Sequence, residues 1–370
     1  MRLIPVLLML TVILGGNYYV FLRLWQMLPP SLVGRLLFVV AAVFLIASPF
    51  VSMLAGSAFP PTLTAAMYRI GTSWLIAFMY LLLAFLVLDI IRLTHLFPID
   101  TYLRHSWIGL GTLAAGLTIL LSIGYYRYTH KDRVELQLSV DKEIAGELKI
   151  VAASDLHLGY GIGRKEFESW VELINKENPD IVLIAGDITD NNVAPLYEAD
   201  MGAVFSQIKS RYGTYVIPGN HEYIAGGEPA ETFLRAAGVT FLKDSVALVD
   251  DRFYIVGRDD RSNPQRQTIA ALTASLDPSK PIILLDHQPY HLEEAEQSGI
   301  DLQLSGHTHK GQVWPISLVT RFLFELDHGY KQKSNTHYYV SSGLGIWGGK
   351  FRIGSRSEYV VIRFKGKSSR

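Results

Sequence analysis

Side chains able to bind metals or transfer protons follow five predicted strands, each at the point where the strand ends. These clusters are Ser154-Asp155-Leu156-His157, Gly186-Asp187, Gly219-Asn220-His221-Glu222, Asp286-His287 and Gly306-His307-Thr308-His309. Open α/β sheets usually place their sites at the carboxyl ends of the strands. We therefore expect the five clusters to converge on one site.

The donor types in these clusters suit a pair of divalent cations. Imidazole nitrogen, carboxylate oxygen and carboxamide oxygen together bind ions such as manganese, iron or zinc. Seven such donors, with one carboxylate shared, can hold two ions about 3.5–4 Å apart. In Asp155-x-His157 and His307-x-His309 we expect each strand to continue, so that alternate residues point to the same side. One cluster alone would indicate only a turn or a core histidine, but five in series favour a two-metal site.

The five clusters resemble the calcineurin-like metallophosphoesterases, whose pattern is D-x-H, G-D, G-N-H-D/E, a lone H and G-H-x-H. All five blocks occur in this order between Asp155 and His309, and the resemblance extends to about Phe364. Segments 306–312 and 342–348 are similar to the bacterial, membrane-anchored branch of that family. The resemblance implies a four-layer αββα sandwich for this part of the chain.

The resemblance also implies a role for each candidate residue. The first metal would be held by Asp155, His157, Asp187 and His309, and the second by Asp187, Asn220, His287 and His307. Asp187 would bridge the two ions, while His221 and Asn220 would be the catalytic residues. Glu222 is expected either to orient His221 or to be a solvated turn residue.

The implied reaction is hydrolysis of a phosphomonoester, a phosphodiester or a pyrophosphate. Two cations polarise the phosphoryl oxygens and activate a water, so that hydroxide attacks phosphorus near neutral pH. An imidazole, with an ordinary pKa of about 6.5, then stabilises or protonates the leaving oxygen, which is the role expected of His221.

Other polar residues of the same half are assigned to structural roles. Caps, turns or surface positions are expected for Asp190, Asp259, Asp260, His291, His328 and His337. Arg352 and Arg356 are expected to form surface ion pairs, with contact to a substrate phosphate as the alternative.

Strands and helices alternate after residue 130, which predicts an α/β domain over residues 131–370. Strands are expected at 134–140, 148–152, 181–185, 214–217, 253–256, 282–285, 338–340 and 359–364. Helices are expected at 165–176, 195–210, 231–237 and 265–276.

The charge distribution separates residues 1–130 from the rest of the chain. The first 130 residues contain seven arginines, no lysine and two acids, whereas residues 131–370 contain 27 basic and 32 acidic residues. The chain has no strongly basic field of the kind that would favour nucleic acid as its main partner. The absence of cysteine excludes disulfides, thiol catalysis and thiolate metal sites.

Four apolar stretches in residues 1–130 approach the roughly 20 residues that cross a bilayer. They cover about 3–22, 36–55, 70–91 and 107–126, and predict a domain of four transmembrane helices. Their interiors lack the charges that mark an ion path, which favours anchoring in the lipid bilayer over transport. Four spans place both termini on one side of what is expected to be a bacterial inner membrane. The side that would hold both termini has five basic residues and the opposite side has four, so the positive-inside rule does not distinguish the two orientations.

The sequence therefore predicts a membrane-anchored phosphoesterase with two divalent metal ions. An inactive metal-binding scaffold or sensor and a transporter with a regulatory domain are the alternatives. The link from Tyr126 to Val134 reaches only about 25 Å, which keeps the domain near the headgroups. A lipid-linked phosphoester and a soluble phosphodiester both stay open as substrates, and no protein partner is predicted.

Overall fold

Two units divide the chain, and a computed structural model describes residues 3–144 and 146–366 of it. The first unit holds the N-terminal residues as far as Tyr126. The second unit begins at Arg127 and holds the remainder, except that Gly348–Phe351 groups with the first.

Long apolar helices make up the N-terminal part of the chain. They are α1 (Leu3–Met27), α2 (Leu32–Leu54), α3 (Pro61–Leu93), the short α4 (Asp100–Leu103) and α5 (Trp107–Thr129). By length and composition α2, α3 and α5 can each cross a membrane. Helix α1 covers the first predicted span, but the side chains of residues 3–10 and 12 lie outside those described. The structure thus supports three of the four predicted spans, and 3–22 stays a prediction.

Polar side chains join α1 to α3 inside the first unit. The indole Nε1 of Trp74 donates to Oδ1 of Asn17 at 3.0 Å. Nearer the other end of the helices, Arg23 pairs with Asp89 at 2.5 Å. Polar groups on apolar helices are costly unless they pair, so both contacts fix the register of the two helices.

The strands of the second unit form two mixed sheets of six strands each. In chain order they are β1 (Asp132–Ser139), β2 (Glu147–Ala153), β3 (Ile181–Ile184), β4 (Thr214–Val216), β5 (Thr240–Phe241), β6 (Ser245–Val249), β7 (Phe253–Gly257), β8 (Ile282–Leu285), β9 (Leu302–Ser305), β10 (Gly329–Lys333), β11 (Thr336–Val340) and β12 (Glu358–Lys365). The first sheet has the order β1-β12-β2-β3-β4-β5, and the second β10-β11-β9-β8-β7-β6. In the first sheet β2, β3 and β4 run parallel, and in the second β8 and β9 do.

Short helices connect these strands. They are α6 (Arg164–Lys176), α7 (Ala194–Glu198), α8 (Gly202–Phe205), α9 (Asn220–Ile224), α10 (Glu228–Ala236), α11 (Ile269–Thr273), α12 (Leu292–Gln297) and α13 (Ile316–Leu323). In α6 the buried residues recur at helical spacing, from Phe167 through Trp170 to Ile174, so one face of the helix packs on the first sheet.

Three hydrophobic cores lie between the layers of the second unit. Alternate residues of β2 point to opposite faces, so Val151 joins the core under α6 and Ile150 joins the core between the two sheets. Ile283 of β8 also enters that middle core, while its neighbour Leu284 enters a third core with Leu292 of α12. The predicted α/β domain is confirmed.

One predicted helix is wrong. Residues 195–210 form the two short helices α7 and α8 instead of a single one. Asp200 lies between them with a φ of 49°, in the left-handed region that a right-handed helix cannot include.

Ile283 tests the core between the sheets, because its side chain is fully buried there. Ile283→Ala should lower the free energy of unfolding by about 2–5 kcal/mol, through lost burial and the cavity left behind. Leu248→Ala, at a position that is 47% exposed on β6, is the matched control and should change it by less than about 0.5 kcal/mol. Denaturant unfolding of the full chain in detergent would measure both variants. Equal losses would show that the middle core does not carry the stability of the unit.

Candidate metal centre

The five polar clusters follow strands whose carboxyl ends lie at one edge of each sheet. Three follow β2, β3 and β4 in the first sheet, and two follow β8 and β9 in the second. The structure brings the carboxylate and imidazole members together in three groups able to hold an ion. The groups are Asp155 with His157 and His309, His157 with Asp187 and His221, and Asp187 with His287 and His307. Shared members make these three groups one continuous cluster.

The first group is buried, with Asp155 and His157 at most 1% exposed and His309 9% exposed. His157 and His309 approach with their Nε2 atoms 3.1 Å apart. Nε2 of His309 also lies 3.5 Å from Oδ1 of Asp155. Two ring nitrogens and a carboxylate oxygen that face one another in a buried space form the donor set of a borderline divalent cation.

Asp187 connects the first group to the third, which contains His287 and His307. Its Oδ2 lies 3.8 Å from Nε2 of His157 on one side and 3.1 Å from Nε2 of His287 on the other. Asn220 joins the third group through His307, whose Nδ1 lies 2.8 Å from Oδ1 of Asn220. All seven predicted ligands are therefore in the cluster, with Asp187 at its centre.

The backbone turns sharply at most of these positions. Asp155, His157, Asp187, His307 and His309 have φ angles of 54°, 48°, 51°, 71° and 50°, all in the left-handed region. Such conformations cost about 1–3 kcal/mol each for residues other than glycine and tend to occur at functional sites. The expectation that the strands continue through both D-x-H and H-x-H is wrong, because β2 ends at Ala153 and β9 at Ser305. Left-handed turns, not strand alternation, direct these side chains to one place.

The histidines of the cluster differ in charge. Burial, with the nearby charge of His287, lowers the pKa of His307 to about 4. Burial also opposes protonation of His287, but the Asp187 carboxylate overrides it and raises the pKa of His287 well above its usual range. Burial likewise works against the charged form of Asp187, yet the imidazoles around it hold its pKa well below the ordinary value. Asp187 is thus a permanent negative charge that attracts cations to the cluster.

The donors fit a pair of divalent ions. Nδ1 of His287 donates to the carbonyl oxygen of Ala185 at 2.7 Å, which fixes the ring and turns Nε2 towards Asp187. That Nε2 is buried and has no hydrogen-bond partner among the described residues. A buried imidazole held by a backbone carbonyl, with its second nitrogen facing a carboxylate, is a usual arrangement of a metal-binding histidine.

His221, a member of the second group, lies on the first turn of α9. Its Nδ1 contacts the carbonyl oxygen of Asp190 at 2.9 Å, and its ring meets that of His157 edge to face at 4.5 Å. Burial alone would lower the pKa of His221, but the carboxylates of Asp187 and Asp190 raise it to about 9. His221 therefore carries a proton in this environment.

Sequence reasoning missed the part played by Asp190. It was expected in a cap, a turn or a surface position, but its side chain is only 4% exposed. Its Oδ1 lies 3.5 Å from Nδ1 of His221 and 3.8 Å from Nδ1 of His157. The spacing of three residues after Asp187, on the same tight loop, is the signal that could have revealed it.

Glu222 holds the loop of Asp187 instead of orienting His221. Its carboxylate accepts hydrogen bonds from the backbone N–H groups of residues 187–189 at 3.1, 2.9 and 2.7 Å, and from Gly219 N–H at 2.7 Å. The side chain is 2% exposed, so a solvated turn residue is also wrong. Burial and the charge of Asp187 raise the pKa of Glu222 to about 7. The residue joins the ends of β3 and β4 through their loops.

Arg352 was expected on the surface and is instead fully buried. It donates to the carbonyl oxygens of His309, Ser342 and Gly345 at 3.0, 2.6 and 2.7 Å. These bonds fix the backbone beside the first group. The expected surface ion pair of Arg356 is confirmed, with Asp132 at 2.9 Å.

The other predicted structural residues lie outside the three metal-binding groups. Asp259 and Asp260 are buried in the loop after β7, His291 is exposed, His328 pairs with Glu358, and His337 contacts Tyr330.

The chain is similar to several known proteins. The family model for calcineurin-like phosphoesterases matches residues 148–311. An uncharacterized metallophosphoesterase of Helicobacter pylori is 36% identical over 253 residues, which cover 66% of this chain and 67% of that protein. One from Aquifex aeolicus is 33% identical over 68% of this chain and 99% of its own length. A zebrafish (Danio rerio) transmembrane protein with a metallophosphoesterase domain is 34% identical over 63% of this chain and 57% of its own.

Gly219 tests whether backbone packing positions the bridging carboxylate. A Cβ at this position would overlap Oδ1 of Asp187 and lie 2.6 Å from its backbone nitrogen. Gly219→Ala should therefore displace Asp187 and lower the metal content of the purified full chain, measured by elemental analysis. Gly163→Ala is the control, because a Cβ there meets no described residue within 4 Å. Unchanged metal content in Gly219→Ala would show that this close approach does not control the site.

Proposed function

Because the chain belongs to the calcineurin-like phosphoesterase family, we propose that it is a membrane-anchored hydrolase of phosphoric esters with a dinuclear metal site. Residues 1–130 would form the anchor and residues 131–370 the catalytic domain. The observation that carries the proposal is the position of Asp187, whose Oδ2 lies 3.8 Å from Nε2 of His157 and 3.1 Å from Nε2 of His287. A carboxylate placed in this way suits two ions held side by side.

Two sets of these side chains would each hold one ion. Asp155, His157, Asp187 and His309 would bind the first, and Asp187, Asn220, His287 and His307 the second. When bound, manganese, iron or zinc ions would polarise a phosphoryl oxygen and activate a water for attack on phosphorus. His287 must give up its proton to bind an ion, so metal binding and proton release are coupled.

His221 would serve as the proton donor to the leaving oxygen. Its Nδ1–H donates to the carbonyl oxygen of Asp190, which leaves Nε2 for acid–base chemistry. The raised pKa keeps this nitrogen protonated at neutral pH, as a general acid requires. Asp190 would act as a positioning residue, because its carboxylate lies against the rings of both His221 and His157. Asn220 would orient the phosphoryl group through its amide.

The apolar helices support a membrane location, which we propose to be the bacterial inner membrane. Only two residues, His130 and Lys131, separate α5 from β1. At no more than about 3.6 Å per residue, this link holds the catalytic domain near the headgroups. A phosphoester presented at the bilayer surface, such as a lipid-linked phosphate or pyrophosphate, is the substrate class that this placement favours.

Two other functions fit fewer observations. An inactive scaffold would not need the complete donor set together with a protonated His221 beside it. A transporter would need polar groups along a path, whereas the charged Arg23 and Asp89 of the N-terminal helices pair with each other.

Metal removal tests the enzyme against the scaffold. Extensive chelation should abolish hydrolysis of a soluble aryl phosphodiester, and added manganese, iron or zinc should restore it, because the ions supply the activated water. Release of the aryl group measures the activity, and elemental analysis measures the metal. Undiminished turnover in metal-free protein would contradict the proposed mechanism, and no turnover with any of the three metals would favour the scaffold.

Two substitutions separate the roles of neighbouring residues. His221→Ala should keep both ions but lose about 10²–10⁴-fold in kcat, the usual contribution of general acid–base catalysis. Asp187→Ala should lose the ions themselves, because this carboxylate lies beside proposed ligands of both ions. Metal content and kcat would be measured on the same preparations. Loss of metal from His221→Ala, with retention in Asp187→Ala, would reverse the assignment.

A further inference from the structure

Helix α13 buries its serine and its threonine and exposes its apolar residues, together with Arg321. Ser317 and Thr320 are each 9% exposed, whereas Phe322 is 89% exposed. The outward apolar side chains, here called the α13 face, are Trp314, Ile316, Leu318, Val319, Phe322 and Leu323. A surface helix of a soluble domain has the opposite arrangement. Contiguous exposed apolar surface of this kind marks an interaction site.

Packing fixes the outward direction of this face. Gly311 approaches the start of α13 so closely that a Cβ on it would overlap the backbone nitrogen of Ser317. On the next turn, the hydroxyl of Thr320 donates to the carboxylate of Asp327 at 3.0 Å. Rotating the helix to bury its apolar side chains would break both contacts, so these contacts hold the α13 face outward.

The α13 face borders the metal-binding cluster. The helix is preceded by the short 3₁₀ helix His309–Gly311, which carries one of the predicted ligands. It is followed by Phe324, whose ring lies 6.1 Å from that of His307, another predicted ligand. Whatever covers the α13 face therefore comes close to the reacting groups.

We propose that the α13 face docks into the interfacial layer of the lipid bilayer that anchors this same chain. The inference rests on the proposed membrane anchoring, and the tether of two residues between α5 and β1 keeps the unit within reach of the surface. The composition also fits lipid: Trp314 precedes the helix, and Arg321 is the only charge among its eight residues. Helices that lie in the membrane surface combine tryptophan, phenylalanine and leucine with basic residues.

Docking of this face would make the bilayer surface part of the active-site entrance. A phosphoester carried on a lipid headgroup would then meet the cluster without leaving the membrane. A water-soluble phosphodiester would gain nothing from the α13 face.

The absence of native cysteine makes a spin-label experiment direct. Single cysteines replace Phe322 on the α13 face, Leu248 on β6 and Val40 on α2, which are 89%, 47% and 67% exposed. Each full-length variant carries a nitroxide and is placed in phospholipid nanodiscs, whose two surfaces are both open to solvent. Collisions with lipid-soluble oxygen and with a water-soluble nickel chelate are then compared. We expect the label at 322, like the label at 40, to collide less often with nickel and more often with oxygen than the label at 248 does. The label at 248 should stay accessible to nickel.

Each other outcome overturns the inference in a distinguishable way. If the label at 322 is as accessible to nickel as the label at 248, while the label at 40 lies in lipid, the anchoring stands and the docking proposal is wrong. If the label at 322 is shielded from both reagents, protein and not lipid covers the α13 face. Dipolar broadening between labels would then identify that protein as a second copy of this chain. Nickel access at 40 itself would contradict the proposed anchoring, and the docking with it.

Discussion

A buried negative charge at the junction of two sheets is the constraint on which this site depends. The carboxylate of Asp187 is 2% exposed, and such a group is tolerated only where donors or cations surround it. Backbone N–H of His221 donates to one of its oxygens at 2.8 Å, and imidazoles from both sheets approach the other. The two sheets must therefore keep a fixed spacing, because a carboxylate facing only one of them would be left with an uncompensated charge.

A second buried carboxylate gives this arrangement its stiffness. Glu222 accepts most of its hydrogen bonds from backbone groups, which leaves the loops after β3 and β4 little freedom to separate. Arg352 donates to four backbone carbonyls, those of His309, Ser342, Gly343 and Gly345. Glu222 thus gathers backbone N–H groups, and Arg352 gathers backbone carbonyl groups. Backbone positions, more than side-chain rotamers, set the spacing of the donors.

The sequence predicted the features that depend on local residue patterns and missed those that depend on contacts between distant residues. Apolar runs such as 181–184 and 282–285 predicted their strands, and the polar residues after them predicted the converging cluster. The left-handed turns at Asp155 and His157 follow from long-range packing, because aspartate and histidine only tolerate this conformation better than most residues and do not require it. Asp190 and Arg352 look like surface residues in a sequence, because charged side chains are rarely buried unless partners distant in the chain are present. The outward apolar face of α13 was missed for the same reason, since only the fold shows which side of a short helix is covered.

The position of β12 has a consequence for the order of events during synthesis. This strand, the last in the chain, lies between β1 and β2, which are the first two strands of the sheet. Residues 132–139 and 358–365 pair in parallel, so β1 has no neighbour in the sheet until residues 358–365 have left the ribosome. The apolar helices precede both strands in the chain and are made while β12 is still to come. Chain growth thus separates synthesis of the apolar helices from closure of the sheet, and the loops that carry the polar clusters become fixed only after those helices have been made.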